Sequence, residues 1–159
     1  MDKIDSFMIN HLKMFPWIFV SRKDKVGDSM LTTFDLRITK PNCEPVMNIA
    51  EMHAMEHLWA TFLRNHKEYT SKTIYFWPMG CRTGFYLILT GDYESKDVVE
   101  LIKELFTFMK DFEWDIPGQT ARDCWNYLDM NLPMAKYVSN RYYNEVLKDI
   151  KDYNLNYPD

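Results

Sequence analysis

The sequence predicts a single α+β domain in which an antiparallel sheet packs against helices. Two segments have the residue pattern of strands and three have that of amphipathic helices, and the two kinds do not alternate strictly along the chain. No repeat, low-complexity tract or linker divides the 159 residues. A chain of this length can bury a core of its own as one domain.

The two predicted strands cover residues 31–39 and Gly84–Thr90. In the first, apolar and polar residues alternate from residue 33 onward, so one face is apolar and Arg37 lies on the opposite, polar face. The second is a nearly continuous apolar run, as expected of a more buried strand. Gly91 and Asp92 follow it with the residue types of a turn.

Three helices are predicted at residues 49–66, 95–112 and 132–150. The first contains no Gly or Pro and has large apolar residues at helical spacing. The second has an apolar stripe, and Ser95 is a residue type that caps a helix N-terminus. In the third, Pro133 falls in the first turn, where a missing N–H is tolerated.

Composition and charge exclude several classes of function. The chain is 47% hydrophobic and 26% charged, which is ordinary for a soluble globular protein. Its net charge of -4 provides no basic face for a nucleic acid. The first residues lack the pattern of a signal peptide, and no segment has the length of a membrane span. We therefore expect a cytoplasmic protein with no nucleic-acid or membrane partner.

Three cysteines, Cys43, Cys81 and Cys124, lie far apart in the sequence. An odd number at these separations argues against a disulfide framework and favours ligand, catalytic or buried roles. The segment around Cys81, Pro-Met-Gly-Cys-Arg-Thr-Gly, has the composition of a turn at the entrance of a strand. There a metal or cation would lower the pKa of the thiol and make it a base or nucleophile, whereas an isolated cysteine is ordinarily an inert buried side chain.

A metal motif lies within the first predicted helix, in the order His53-Ala54-Met55-Glu56-His57. Residues three and four apart share one face of a helix, so His53, Glu56 and His57 point the same way. Two imidazoles at this spacing suit a transition metal, and the carboxylate can transfer a proton beside the ion. The alternative is a polar helix surface without a metal, but His-x-x-Glu-His is a known metal motif.

A catalytic metal site usually has three protein ligands, so one more is expected. Spacing alone does not choose among the candidates, which are Cys43, Cys81, Cys124, His11 and His66. An inverted-zincin peptidase would use the same His53, Glu56 and His57 with a third, usually acidic, ligand downstream. No convincing glutamate motif for that ligand follows, and Cys81 would have no role in such an enzyme.

Taken in order, the motifs resemble those of one family over nearly the whole chain, the bacterial S-ribosylhomocysteine lyases (LuxS). The matching segments are Ser6-Phe7, His11, Phe34-Asp35-Leu36-Arg37, His53-x-x-Glu56-His57-Leu58, Pro78-Met79-Gly80-Cys81-Arg82-Thr83-Gly84 and Ala121-Arg122-Asp123-Cys124. The combination of Pro-Met-Gly-Cys with His-x-x-Glu-His is much more specific than either motif alone.

The resemblance implies that His53, His57 and Cys124 are metal ligands that hold one divalent ion per chain. Iron(II) is the expected native ion, and zinc or cobalt could occupy the same site. Glu56 and Cys81 would form an acid/base pair.

The resemblance also implies that Ser6, His11 and Arg37 line the pocket of a small-molecule substrate in a homodimer with active sites at the subunit interface. The implied reaction splits S-ribosylhomocysteine into homocysteine and 4,5-dihydroxy-2,3-pentanedione, the precursor of autoinducer-2. The sugar carbonyl would first migrate along the chain by proton transfers, and β-elimination would then release homocysteine.

Three positions depart from the pattern expected of the family. Trp77 precedes Pro78 and Trp125 follows Cys124, where small residues are usual, and Ala54 replaces a threonine. Each tryptophan is expected either to point into the core or a dimer contact, or to narrow the pocket. If the tryptophans close the pocket, the chain would be a metal-stabilised binding protein without activity.

Overall fold

Four antiparallel strands form one sheet in the computed structural model of the chain, which describes residues 7–158. The strands are β1 (Ile18–Val26), β2 (Ser29–Arg37), β3 (Thr73–Pro78) and β4 (Gly84–Thr90). They lie side by side in the order β1-β2-β4-β3, and every neighbouring pair runs antiparallel. The predicted antiparallel sheet is therefore confirmed.

The two predicted strands form the centre of this sheet. β4 has the predicted bounds, whereas β2 begins and ends two residues before the predicted segment. The sequence pattern does not predict the edge strands β1 and β3. Charged residues run along positions 22–25 of β1, and β3 is a short segment that ends in Pro78. Both features are tolerated at a sheet edge, where one side of the strand has no partner.

Three α-helices follow in the predicted order, α1 (Ile49–Asn65), α2 (Val99–Lys110) and α3 (Leu132–Glu145), which confirms the α+β class. The second and third are shorter than predicted because a 3₁₀ turn, Ser95–Val98, precedes α2 and another, Leu147–Asp149, follows α3. Pro133 lies in the first turn of α3, as predicted. Among the described residues, no helix combines the length and the apolar character that a membrane crossing needs.

Ser95 does not cap α2, so that prediction is wrong. Its hydroxyl accepts a hydrogen bond from the N–H of Val20 at 3.0 Å, which ties the beginning of the helical region to β1. Glu94 is the N-cap of the 3₁₀ turn, and its N–H donates to the Asp97 carboxylate at 2.8 Å. A serine hydroxyl can satisfy a distant backbone group as well as its own helix, and the sequence does not distinguish the two.

The helices share one hydrophobic core with the sheet, and Trp59 of α1 is fully buried at its centre. The Trp59 ring lies 4.0 Å from the Phe76 ring and 5.2 Å from the Phe85 ring, centroid to centroid. It also lies 5.1 Å from the ring of Phe106 on α2. Each such pair adds about 0.5–1.5 kcal/mol beyond its buried area. These contacts fix the position of α1, the helix that carries the predicted metal motif.

The face of the sheet opposite this core carries a row of side chains that crosses all four strands. Phe19 of β1 pairs with Asp35 of β2, which in turn pairs with Tyr86 of β4. Tyr86 pairs with Trp77 of β3. Arg37 follows Asp35 by two residues and therefore lies on the same face, where 5% of its surface is exposed. The polar face predicted for β2 is thus buried.

Candidate active site

The three predicted metal ligands come together where α1 faces the segment between α2 and α3. His53 and His57 lie one turn apart on α1, and Cys124 belongs to that segment. One donor atom of each lies within 4.8 Å of the other two, and the Cys124 Sγ is 3.3 Å from Nε2 of His53. Within residues 7–158 this is the single cluster of His, Cys and acidic side chains close enough to hold a metal ion.

Main-chain carbonyls orient both imidazoles of this cluster. The Nδ1–H of His53 donates to the carbonyl of Asp129 at 2.9 Å, and the Nδ1–H of His57 donates to the carbonyl of Pro117 at 2.8 Å. Each bond leaves Nε2 as the nitrogen with a lone pair for a metal. Hydrogen bonds of this kind hold metal-binding histidines in the required tautomer and orientation.

Gly118 leaves the space that His57 occupies. A Cβ at this position would lie 3.3 Å from Nδ1 of His57. The φ angle of Gly118 is +76°, a left-handed conformation that glycine adopts far more readily than other residues. The tight turn also presents the preceding Pro117 carbonyl to the imidazole.

The donor set fits a transition metal. Imidazole nitrogens and a thiolate are ligands of zinc and of first-row metals such as iron and cobalt, whereas magnesium and calcium prefer oxygen. A set of three protein ligands is typical of catalytic sites, which keep one position for water or substrate. The third donor is Cys124 and not the acidic group that an inverted-zincin peptidase would require.

The donors line an open pocket of about 640 Å³. Glu56 lines the same pocket and lies three residues from His53 on the same face of α1. Its carboxylate can therefore exchange a proton with a molecule bound beside the three donors. A pocket of this size suits a small organic substrate.

The two unusual tryptophans do not close this pocket. Trp125 lines the pocket wall but is fully exposed, so the prediction that it points into the core is wrong. Trp77 is half-buried on the sheet, where its ring centroid lies 5.2 Å from Tyr75 and 5.5 Å from Tyr86. Trp77 is also absent from the pocket lining. An open pocket gives no support to the inactive binding protein.

Cys81 belongs to a second cluster, with Arg37 and Thr83. The Cys81 Sγ is 3.1 Å from Oγ1 of Thr83 and 3.7 Å from Nη1 of Arg37, which also donates to Thr83 Oγ1 at 2.5 Å. Partial desolvation alone would raise the pKa of the thiol. The hydrogen bonds of Thr83 and the charge of Arg37 outweigh it, so the pKa of Cys81 is lowered. A lowered pKa favours the thiolate, the form that can act as a base.

Asp35 orients the guanidinium of Arg37. Nε of Arg37 donates to Oδ1 of Asp35 at 3.1 Å and Nη2 donates to Oδ2 at 2.5 Å. This bidentate pair directs the remaining nitrogen, Nη1, toward Thr83 and Cys81. Burial lowers the pKa of Arg37, but the charge and hydrogen bonds of Asp35 outweigh it and raise the pKa, so the guanidinium stays charged.

Of the three residues predicted to contact substrate, Arg37 lies in the Cys81 cluster. Burial raises the pKa of the Asp35 carboxyl, and the charge and hydrogen bonds of Arg37, followed by the hydrogen bond of Tyr157, oppose that rise. The contact of the His11 side chain is local, since its Nδ1–H donates to the carbonyl of Ile9 at 2.9 Å. Ser6 lies outside the described residues. Neither Cys81 nor Arg37 lines the metal pocket of the described chain.

The other candidate ligands are elsewhere. Cys43 is exposed, and His66 contacts the carboxylate of Glu104 at 3.1 Å. Neither belongs to the metal cluster.

Several residues of these clusters are missed by the sequence reasoning. The alternation of residues 33–39 places Asp35 on the same face as Arg37, but the pattern does not indicate the hydrogen bonds between them. Thr83 lies two residues from Cys81, which is a weak signal by itself. The carbonyls of Pro117 and Asp129 leave no signal, since every residue has one.

Comparison with known proteins gives consistent matches over the whole chain. The family model described as S-ribosylhomocysteinase (LuxS) matches residues 4–153. The chain is 65% identical to an S-ribosylhomocysteine lyase of Clostridium beijerinckii over 158 residues, which are 99% of each chain. It is 65% identical to one of Finegoldia magna and 50% identical to one of Porphyromonas gingivalis, each over 159 residues and 100% of both chains.

Proposed function

Because the chain belongs to the S-ribosylhomocysteinase (LuxS) family, we propose that it cleaves S-ribosylhomocysteine to homocysteine and 4,5-dihydroxy-2,3-pentanedione, the precursor of autoinducer-2. The observation that carries this proposal is the grouping of His53, His57 and Cys124 in an open pocket that Glu56 also lines. The atoms of the substrate are divided between the two products, so the reaction needs no oxidant or other co-substrate.

The carbon–sulfur bond breaks only after the sugar carbonyl has moved along its chain. The sulfur can leave as a thiolate when a proton is removed from the carbon adjacent to the one that carries the sulfur. That proton is acidic only if a carbonyl stands next to it. The enzyme must therefore remove and return protons at neighbouring carbons before the final β-elimination releases homocysteine. Positioned acid and base groups contribute about 10²–10⁴-fold each to such steps.

We assign these proton transfers to Cys81 and Glu56. The lowered pKa of Cys81 favours the thiolate, the form that can remove a proton from carbon and return it. The Glu56 carboxylate lies in the pocket beside the metal donors, where it can move protons between substrate oxygens. The charge of Arg37 stabilises the thiolate form of Cys81. Arg37, together with Ser6 and His11, would also contact the substrate.

His53, His57 and Cys124 would hold one divalent metal. When bound there, the metal supplies Lewis acidity toward the substrate's carbonyl and hydroxyl oxygens. We propose iron(II) as the native ion, with zinc or cobalt able to occupy the site, because all three accept imidazole and thiolate ligands.

We further propose a homodimer in which each active site combines two subunits. Within one chain, Glu56 lines the metal pocket while Cys81 lies in the separate cluster with Arg37. A second copy could bring its Cys81 cluster to the metal pocket of the first. Trp125 and Ile49 on the pocket wall are large exposed apolar side chains, as expected of a surface that another subunit covers.

A bacterial cytoplasmic location suits this chemistry. Cys81 and Cys124 must both remain free thiols to serve as base and ligand, and the cytoplasm keeps thiols reduced. The relatives matched by the chain are bacterial.

The proposed function is tested by anaerobic incubation of iron- or cobalt-loaded protein with S-ribosylhomocysteine, followed by measurement of homocysteine thiol and of the pentanedione. The wild-type protein should release both products in equal amounts. Cys81→Ala and Glu56→Gln should each lower the rate by about 10²-fold or more.

Two matched variants serve as controls for these losses. Cys43→Ala removes an exposed thiol, and Glu100→Gln removes an exposed carboxylate that pairs with Lys103 across one turn of α2. Both should keep wild-type turnover. A metal-loaded wild-type protein that releases no thiol would refute the proposed lyase.

A further inference from the structure

Tyr157, near the end of the chain, packs onto the buried Asp35–Arg37 pair. Its hydroxyl donates to Oδ2 of Asp35 at 3.0 Å, and its ring stacks on Phe19 with centroids 4.3 Å apart and an interplanar angle of 15°. Phe19 is fully buried and is the β1 neighbour of Asp35 in the sheet. The last part of the chain thus covers the edge of the polar row on the sheet.

The segment before Tyr157 also packs against β1. The 3₁₀ turn Asp152–Leu155 contacts β1, and Asn154 within it is buried. The Asn154 side chain accepts a hydrogen bond from the N–H of Lys151 at 2.7 Å. Tyr157 therefore reaches Asp35 from a packed segment, so its hydroxyl contact has a defined geometry.

One Asp35 oxygen receives two donors. Oδ2 accepts from Nη2 of Arg37 and from the Tyr157 hydroxyl, while Oδ1 accepts from Nε of Arg37. Burial and the negative charge of Asp35 raise the pKa of Tyr157 above its usual range, so the phenol stays protonated and remains a donor. The tyrosine thus fixes the carboxylate that in turn fixes the guanidinium.

We propose that Tyr157 is a positioning residue for the Cys81 thiol, acting through Asp35 and Arg37. This inference rests on the proposed role of Cys81 as a base. The chain of contacts runs from the Tyr157 hydroxyl to Asp35, from Asp35 to Arg37, and from Nη1 of Arg37 to the sulfur at 3.7 Å. A loss of the first contact frees the carboxylate to turn, and the guanidinium that it holds then moves relative to the sulfur.

Several groups around Cys81 can influence the pKa of its thiol. Thr83 and Arg37 contact the thiol directly, and Tyr86 of β4 interacts with it electrostatically. Asp35 and Tyr157 lie behind Arg37. Tyr157 also interacts electrostatically with Arg37, so a change at Tyr157 can alter the ionisation of Cys81 through Arg37, either directly or by way of Asp35.

The test compares Tyr157→Phe with Tyr153→Phe in the full-length metal-loaded protein. The first substitution removes the hydroxyl and keeps the ring that stacks on Phe19. Tyr153 is an exposed tyrosine of the same segment whose ring contacts Trp17 edge-on, which makes it a matched control. The rate of iodoacetamide alkylation is measured at Cys81 and Cys43 separately, by peptide mass spectrometry, from acid to alkaline pH.

We expect Tyr157→Phe to raise the pKa of Cys81 alkylation by about half a unit, which is roughly a threefold loss of thiolate at pH values below that pKa. Tyr153→Phe should leave Cys81 unchanged, and Cys43 alkylation should be the same in all three proteins. The pH profile of lyase turnover should shift with the alkylation profile in Tyr157→Phe.

An unchanged or lowered pKa of Cys81 in a folded Tyr157→Phe protein would overturn the positioning role. Phe19→Leu provides a second variant, which weakens the stacking and leaves the hydroxyl in place. If a folded Phe19→Leu protein showed as large a rise in the pKa of Cys81 as Tyr157→Phe, packing of the segment would be the cause, and the proposal would fail. Because alkylation needs no turnover, the result stands apart from the success or failure of the lyase assay.

Discussion

The sulfur of Cys81 lies 3.7 Å from Nη1 of Arg37, whose Nε and Nη2 are both engaged by Asp35. A charged guanidinium held in this way acts on the thiol at a fixed distance. Within one chain, the electrostatic environment of the thiol is therefore provided by β2, by β4 and by the turn before β4, and not by the residues that line the metal pocket.

The first prediction concerns the pH dependence of Cys81 reactivity. The folded pKa of Cys81 is lowered, so the thiolate appears at lower pH than in an unstructured peptide that carries the same cysteine. Below that ordinary pKa, Cys81 should react with iodoacetamide faster than the peptide thiol does. The same shift makes the free energy of unfolding depend on pH. Because the pKa of Cys81 is lower in the folded than in the unfolded protein, ionisation of Cys81 stabilises the fold above the unfolded pKa, and this stabilisation is lost as the pH falls through the folded pKa. Equal or slower alkylation of Cys81 would contradict this.

The second prediction concerns Thr83. Thr83→Val removes the hydroxyl that contacts both the Cys81 sulfur and Arg37, with little change in shape. The pKa of Cys81 should rise by about half a unit to one unit, the equivalent of one hydrogen bond of about 1 kcal/mol. Thr39→Val is the control, because the buried Thr39 hydroxyl has no hydrogen-bond partner among the described residues. A rise of the same size in both variants would contradict a specific role for Thr83.

The third prediction concerns the metal. Cys124→Ser should greatly reduce the bound metal per chain, since it removes one of three donors that lie within 4.8 Å of one another. Cys43→Ser should retain the wild-type metal content because Cys43 is exposed and outside the cluster. Metal analysis after dialysis of both variants makes the comparison. A full complement of metal in Cys124→Ser would exclude this cysteine as a ligand.

The fourth prediction concerns the close approach of β4 to β2. A Cβ at Gly84 would lie 2.4 Å from the Leu36 carbonyl oxygen and 3.1 Å from Cα of Arg37, so Gly84→Ala must push the two strands apart. We expect a loss of about 1–3 kcal/mol in the free energy of unfolding, as for other overpacked sites. Gly80→Ala is the matched control, because a Cβ at Gly80 meets nothing within 4 Å. Urea unfolding curves of both variants should show the loss only for Gly84→Ala.

The fifth prediction concerns the proposed composite active sites. Cys81→Ala and His57→Ala would each be inactive alone, but a mixed dimer would keep one intact site. After equal amounts are mixed and allowed to exchange subunits, about a quarter of wild-type activity should return, since half of the dimers are mixed and each has one of two sites. Glu56→Gln mixed with His57→Ala should stay inactive, because both residues belong to the same pocket. If the first mixture also stays inactive although mass spectrometry finds mixed dimers, each site belongs to one chain.

More of the proposed metal cluster than of the Cys81 cluster could be predicted from the sequence. His53, Glu56 and His57 occupy one helix face at a spacing that the sequence itself displays, and α1 extends over nearly the predicted range. The cluster around Cys81 depends on pairing between strands. Arg37 meets Thr83 only because β2 lies beside β4, and no local pattern states which strands are neighbours.

The edge strands and the end of the chain were harder to predict for a related reason. β1 is held in the sheet by its backbone pairing with β2. Its second half is charged, so the alternation of apolar residues that indicates a strand is weak there. Tyr157 is 122 positions from Asp35 in sequence, and one tyrosine in a polar tail has no pattern that indicates a partner. Contacts between distant segments are a property of the packed fold.

The imidazoles of His53 and His57 are both oriented by peptide oxygens, those of residues 129 and 117 respectively. Replacement of either side chain leaves the oxygen in place, so an alanine scan of these two positions would pass over the contacts that matter most to the histidines. The same oxygens tolerate divergence at these positions as long as the main-chain path is kept. Insertions or deletions between α2 and α3, which shift that path, are therefore the changes expected to disrupt the proposed metal site.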